Sequence, residues 1–149
     1  MIDIDVRGIK EVKAFISALG SQGKKVITQE LHKLAIDTRN DMIKSMRGTV
    51  KDGSKAYRMA GGKMHYASAE GYPPAIRSGN LINRIFIERG YNFSRVYTGN
   101  VEYAEYLEKG TSKMEARPFF KPAVDRSNWQ KRIKNRIIAE RFAGRRLEL

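Results

Sequence analysis

Residues 24–46 read KKVITQELHKLAIDTRNDMIKSM, and this stretch carries the clearest helical pattern in the chain. Its apolar residues recur at steps of three and four, which places them on one stripe of a helix and leaves the charged residues largely outside it. The members of the stripe are Ile27, Leu31, Leu34, Ala35, Thr38 and Met42. The spacing predicts an amphipathic helix over about 24–46 that ends near Gly48 and packs one face on a core.

Two shorter elements are predicted on the N-terminal side of this helix. Residues 2–6 alternate apolar and acidic side chains, the period of a strand with one buried face. Residues 9–19 carry apolar residues at helical spacing, and Gly20 and Gly23 are positioned to end that helix.

A strand pair is predicted on the C-terminal side. Ile85 and Ile87 share one face, with Phe86 and Glu88 on the other, and a turn at 90–94 leads into a second short strand.

Two helices are predicted after this strand pair. The stretch 103–109 favours a short helix, and Gly110 is placed as its C-terminal stop. A final basic helix is expected to begin near Pro118 or Pro122 and to run to about Phe142.

These elements predict an α+β fold, in which an antiparallel sheet of about three to four strands packs with a long N-terminal helix and a C-terminal helix. The chain has 149 residues, of which 41% are hydrophobic, so it can bury a core as one domain over 1–149. Residues 47–72 are different, because glycine and basic residues replace the apolar periodicity. We predict a flexible basic arm there, which orders against a neighbouring molecule.

Charge and composition narrow the class of protein. The chain has 29 Lys and Arg against 16 Asp and Glu, a net charge of +13, so polyanions or acidic protein surfaces are expected partners. It has no cysteine, and no apolar run is long enough for a transmembrane helix. The first residues lack the pattern of a secretory signal, so synthesis in a reducing cytoplasm without export is expected.

The residues that usually carry chemistry are few and scattered. His32 and His65 lie on different elements without HxxxH or HExxH spacing, so no metal site is predicted. Glu105 and Glu108 are expected to be solvated or paired with a basic residue of an adjoining subunit. A glycine-rich stretch at 48–55 lacks the Gly-Lys-Ser/Thr order of a phosphate loop. The sequence therefore predicts no catalytic residue, no cofactor and no enzymatic activity.

Two motifs do carry information. The first contains Pro73-Pro74-Ala75-Ile76-Arg77-Ser78-Gly79-Asn80-Leu81, whose paired prolines hold an extended backbone suited to docking, with Ser78 able to cap the next turn. The second spans 101–123 and contains Tyr103-Ala104, Glu108-Lys109-Gly110-Thr111, Ala116-Arg117-Pro118-Phe119 and Pro122-Ala123. Phe119 and Phe120 have the simpler interpretation of core aromatics. The residues predicted at an interface are Pro73, Pro74, Arg77, Tyr103, Tyr106, Glu108 and Arg117.

In order and spacing, these motifs resemble the tail-completion, or tail-component, family of long-tailed bacteriophages over roughly residues 70–125. The resemblance implies a small α/β virion subunit that forms a homo-oligomeric ring, commonly of six, at the head–tail junction. Its partners would be the head connector and tail tube proteins, and no catalysis is implied. The arm is bulkier than the family's core needs.

The mechanism expected from this resemblance is assembly through two complementary surfaces. The arm with residues 70–81 would form one surface, and the region from Tyr103 to Arg117 would form the other. The alternative is a basic DNA-binding protein, which would show steeply salt-dependent affinity. A small nuclease is a third possibility, which needs a clustered acid or histidine site.

Overall fold

The computed structural model of the protein describes residues 20–51, 56–91 and 93–145. The fold is α+β, as predicted, with two long helices near its ends and short strands and helices between them. The elements are α1 (Gly20–Gly48), β1 (Ala56–Arg58), β2 (Met64–Tyr66), α2 (Asn80–Asn83), β3 (Ile85–Arg89), β4 (Ser94–Thr98), α3 (Tyr103–Lys109), α4 (Lys121–Arg126) and α5 (Trp129–Arg145). The helices among the described residues are not long and apolar enough to cross a membrane.

Helix α1 organises the fold, because its apolar stripe faces the strands and the C-terminal helices. The predicted stripe is confirmed: Ile27, Leu34 and Met42 are buried, and Leu31 is half-buried. The helix includes Gly20 and Gly23, so it starts before the predicted position near residue 24, and the predicted end of a preceding helix at these glycines falls at the edge of the described residues. Their weak helix propensity is overridden by the packing of a helix 29 residues long. The strand and helix predicted over 2–6 and 9–19 fall outside the described residues.

The described strands form two separate antiparallel ribbons rather than one sheet of three to four strands. The predicted pair is confirmed in β3 and β4, where Ile85 and Ile87 point inward and the Phe86 and Tyr97 rings pack outward with centroids 5.8 Å apart. The second ribbon, β1–β2, lies within the predicted arm. The chain between the two ribbons contains the extended proline segment, which supplies no ladder of hydrogen bonds of its own.

The core is formed where α1, the β3–β4 ribbon and the segment before α4 meet. Phe119 and Phe120 are almost fully buried and pack with residues from all of these elements. The simpler interpretation of these two phenylalanines, as core aromatics, is therefore the right one. Truncation of either side chain to alanine would cost about 3–5 kcal/mol. The other buried members of this cluster are Ala35, Met42, Met46, Leu81, Ile85, Val96, Val101, Ala104 and Ala123.

The predicted single C-terminal helix is divided into α4 and α5. The break occurs at Ser127 and Asn128, where Asn128 has a φ of 48° and the Ser127 hydroxyl donates to the Val124 carbonyl at 2.6 Å. Asparagine tolerates this left-handed conformation better than most residues, so it can end one helix and start the next. Pro118 precedes the first helical residue by three positions, and Pro122 lies in the first turn of α4.

Candidate functional site

The two motif stretches pack against each other. The amide of Gly71 donates to the Ala116 carbonyl at 3.0 Å, and the Arg117 Nε donates to the Ser68 carbonyl at 3.2 Å. At the other end of this contact, the Asn80 side-chain amide lies 3.4 Å from the Tyr103 hydroxyl. The sequence placed these stretches on two different assembly surfaces. The structure joins them in one continuous region, which we call the joint region (residues 68–81 and 103–120).

Arg117 is buried inside the joint region, with only 5% of its surface exposed. Its backbone amide donates to the Leu107 carbonyl at 2.7 Å, while its side chain reaches Ser68. Arg117 therefore ties the end of α3 to the segment before the prolines. Any effect of this residue on an interface would act through the position of its neighbours, so its predicted direct contact with another subunit does not fit its burial.

Glu108 also makes its hydrogen bonds within the chain. One carboxylate oxygen accepts hydrogen bonds from the amides of Phe119 and Phe120 at 2.8 and 2.9 Å, and the other accepts from the Lys121 amide at 2.8 Å. These amides would otherwise have no partner, because the first N–H groups of a helix are not satisfied by the helix itself. Hydrogen bonds to a charged acceptor are stronger than neutral ones. The expectation of a solvated or intersubunit Glu108 is thus wrong, and the residue fixes the start of α4 against α3.

Glu105, by contrast, lies on the exposed side of α3. Its carboxylate pairs with Lys109 of the same helix, with the Lys109 Nζ 2.6 Å from the carboxylate oxygen. The hydrogen bond from Lys109, together with its charge, holds the pKa of Glu105 below its ordinary value. An exposed pair of this kind adds little stability.

Gly110 ends α3, as predicted, and its geometry requires glycine. It has a φ of 75° and a ψ of 179°, a conformation essentially restricted to glycine. A Cβ atom at this position would lie 2.9 Å from the Ala116 nitrogen and 3.0 Å from the Met114 oxygen. The tight loop continues with the Thr111 amide donating to Met114 at 2.7 Å. This loop reverses the direction of the chain, so that Arg117 lies next to α3 and contacts Leu107.

The joint region leaves three large tyrosines exposed. Tyr72, Tyr106 and Tyr103 have 62%, 56% and 43% of their surface accessible. Tyr103 and Tyr106 are three residues apart on α3, so their rings project from the same face of the helix. Tyrosine is enriched at protein interfaces because it offers a large apolar ring with a polar end. We call this pair the α3 tyrosines.

The remaining predicted interface residues lie beside the α3 tyrosines. Pro74 is buried, Pro73 is half-buried and Arg77 is exposed. Pro74, Arg77 and Tyr103 line a shallow pocket of about 70 Å³. Binding pockets for small molecules are usually about 300–1,000 Å³. The volume of this depression is well below that range.

A cluster of charged residues outside the joint region joins the C-terminal helices to α1. Arg126 lies 2.7 Å from Asp41, and Arg132 lies 2.7 Å from Asp37 and 3.1 Å from Glu30. The hydrogen bond to Asp37 raises the pKa of the Arg132 guanidinium, against a smaller opposing effect of burial. Two arginines of the basic C-terminal region are therefore paired with acidic residues of α1. They are less available to an external anion than the sequence suggests.

The histidines occupy unrelated positions. His32 is half-buried on α1, and His65 is buried in β2. Burial, followed by the positive charges of Lys51 and Arg77, lowers the pKa of His65 from its ordinary value. Within the described residues, no group of three His, Cys, Asp or Glu side chains could hold a metal ion. The predictions about catalysis and cofactors remain predictions.

Comparison with known proteins found no matching family model, no matching curated protein and no matching solved structure.

Sequence reasoning missed the structural role of Glu108 and the exposure of Tyr72. Glu108 is separated from the amides that it binds by 11 to 13 positions, whereas capping motifs that can be read from sequence act over three residues. The exposure of Tyr72 could have been inferred from its position directly before two prolines.

Proposed function

We propose that this protein is a structural virion subunit of a tailed bacteriophage, which completes the tail or joins head to tail by forming an oligomeric ring. The observation that carries the proposal is the exposed pair of α3 tyrosines on a rigid support. The motif resemblance over residues 70–125 supports a ring at the head–tail junction. The α3 tyrosines offer a surface through which the subunits of that ring can associate.

The support for the α3 tyrosines is unusually well defined for such a short helix. α3 has only seven residues, and an isolated helix of that length would not persist in water. Glu108 and Arg117 hold its C-terminal end, and the Asn80 side chain contacts the Tyr103 hydroxyl at its N-terminal end. Rigid aromatic side chains lose little entropy on binding, so this arrangement favours association with a protein surface.

A closed ring requires a second, different surface on each subunit. Because the joint region combines both predicted stretches, we assign it as one of these surfaces. The opposing surface can be found by cross-linking, since the chain has no cysteine of its own. A Glu102→Cys variant, which keeps both α3 tyrosines and places an exposed thiol next to Tyr103, should link through a short thiol-to-amine cross-linker to a lysine of the neighbouring subunit, and peptide mass analysis would identify that lysine.

The decisive test compares two tyrosines. Tyr106→Ala should raise the protein concentration needed for oligomer formation about tenfold or more, the effect of losing about 1.4 kcal/mol at an interface residue. Tyr91→Ala is the matched control, because Tyr91 is 78% exposed on the turn between β3 and β4. It should assemble within about twofold of the unchanged protein.

Oligomer mass would be measured by analytical ultracentrifugation, with and without purified tail tubes. A chain that stays monomeric under both conditions would contradict the ring. Equal effects of the two tyrosine substitutions would contradict the surface assignment. In phage, the Tyr106→Ala subunit should lower the yield of joined particles in a complementation assay, and the subunit would be found at the head–tail junction.

The alternative of a dedicated DNA-binding protein gains less support from the C-terminal helix than the sequence suggested. Arg126 and Arg132 are engaged by acidic residues of α1. The structural proposal predicts that mutations at the α3 tyrosines impair assembly without changing DNA affinity.

A further inference from the structure

The β1–β2 hairpin lies in a concentration of positive charge. Arg58 ends β1, and Lys63 immediately precedes β2, so both lie at the closed end of the hairpin. Lys51 and Arg77 lie near His65 in β2, close enough for their charges to lower its pKa after the larger effect of burial. All four basic residues are exposed. We call them the hairpin cations.

No ion pair found within residues 20–51, 56–91 and 93–145 includes a hairpin cation. The pairs seen there occupy basic residues on β4 and on the helices α3, α4 and α5. Segment 47–77 contains six basic residues and two acidic ones, so its own sequence cannot neutralise it. Accumulated charge of one sign repels itself and attracts counter-ions of the opposite sign. The hairpin therefore favours an anionic partner.

The shape of the hairpin is suited to contact with a duplex nucleic acid. β1 and β2 pair over three residues each, and neither strand makes an extensive contact with another described element. Two strands lie about 4.8 Å apart, and the major groove of DNA is about 12 Å wide, so a two-stranded ribbon can enter it. Arg58 and Met64 are paired across the ribbon, and both are exposed together with Tyr66. These side chains combine a phosphate-binding cation with apolar surface for sugar contacts.

The residue types lack one common means of reading base sequence, the recognition of adenine. Asparagine and glutamine, which recognise adenine, do not occur in segment 47–77. Lysine and arginine can bind guanine as well as phosphates, and their contacts with phosphates position a protein on DNA without regard to sequence.

We propose that the hairpin cations bind the phosphates of duplex nucleic acid without sequence preference. This binding does not require ring formation, so it can be tested separately from the structural role. The competing surface is α5, where Lys131 and Lys134 are also exposed.

The experiment compares two double variants of the full chain that remove equal charge, Arg58→Gln with Lys63→Gln, and Lys131→Gln with Lys134→Gln. The probe is a short fluorescent duplex of random sequence, titrated by anisotropy between about 50 and about 200 mM salt. The hairpin variant should reduce the slope of log affinity against log salt by about 1.8, which is about 60-fold in affinity at about 0.1 M salt. The α5 variant should stay within about twofold of the unchanged protein.

Three results would overturn the inference. The hairpin variant could bind the duplex with an unchanged slope. The α5 variant could lose as much affinity, which would show that net charge alone governs binding. The hairpin variant could lose binding to polyglutamate while keeping its duplex affinity, which would identify an acidic protein as the partner.

Control measurements on the same samples test whether the variants fold and assemble normally. Arg58 and Lys63 are exposed, so both double variants should unfold at the same temperature as the unchanged chain. A further variant outside the joint region, Lys51→Gln, should lower duplex affinity in the same direction. Ultracentrifugation separates the two proposals: a hairpin variant that forms normal oligomers but loses DNA supports this inference, and Tyr106→Ala should show the reverse.

Discussion

Replacement of Glu108 by alanine removes the acceptor for three backbone amides at the start of α4. Phe119 and Phe120 are almost fully buried, so their N–H groups would lose a charged partner that water cannot easily replace. A buried unsatisfied donor costs about 1–3 kcal/mol. The Lys121 amide belongs to an exposed residue and can be solvated.

We therefore expect Glu108→Ala to lower the free energy of unfolding by about 2–4 kcal/mol. For a chain of this size, the midpoint of thermal unfolding should fall by about 5–15 °C. Glu108→Gln should cost less, because one amide oxygen remains as an acceptor while the amide nitrogen faces other donors.

Urea denaturation followed by circular dichroism would measure the loss. Trp129 fluorescence would report on the same event locally, since Trp129 is the only tryptophan and lines a small cavity with Phe120. The matched control is Glu102→Ala, which removes the same charge next to the same helix, where Glu102 makes no side-chain capping bond. If the two alanine variants unfold within about 0.5 kcal/mol of each other, the assigned role of Glu108 is wrong.

Two further predictions concern backbone geometry and titration. Gly110→Ala should destabilise the protein by about 1–3 kcal/mol, because its backbone conformation excludes a Cβ atom; Gly48→Ala, which has open space around it, should be neutral or stabilising in urea denaturation. Since the pKa of His65 is lowered from 6.5 in the fold, the unfolded chain binds more protons below that pH, so stability should be highest above about 6.5 and fall as the pH drops towards the folded pKa. His65→Gln should flatten that dependence between about pH 8 and about pH 5.5, and a slope that His32→Gln reduces equally would point to another cause.

Local patterns were sufficient for the elements whose neighbours in sequence are also their neighbours in space. The stripe on α1, the β3–β4 ribbon and the stop at Gly110 follow from periodicities of three to four or two residues and from the special conformations of glycine. The α+β class follows from the same patterns. Packing outweighed a local signal at Gly23, which lies within the helix although glycine has a weak helix propensity.

The joint region depended on contacts between residues far apart in the chain. Arg117 reaches Ser68 across 49 positions, and Arg132 reaches Glu30 across 102. Residue type shows that these side chains can pair, but only the packed chain brings their charges and hydrogen-bonding groups within reach. For this reason the sequence could only predict interface residues, while folding placed two of them, Glu108 and Arg117, as internal supports and left the α3 tyrosines exposed.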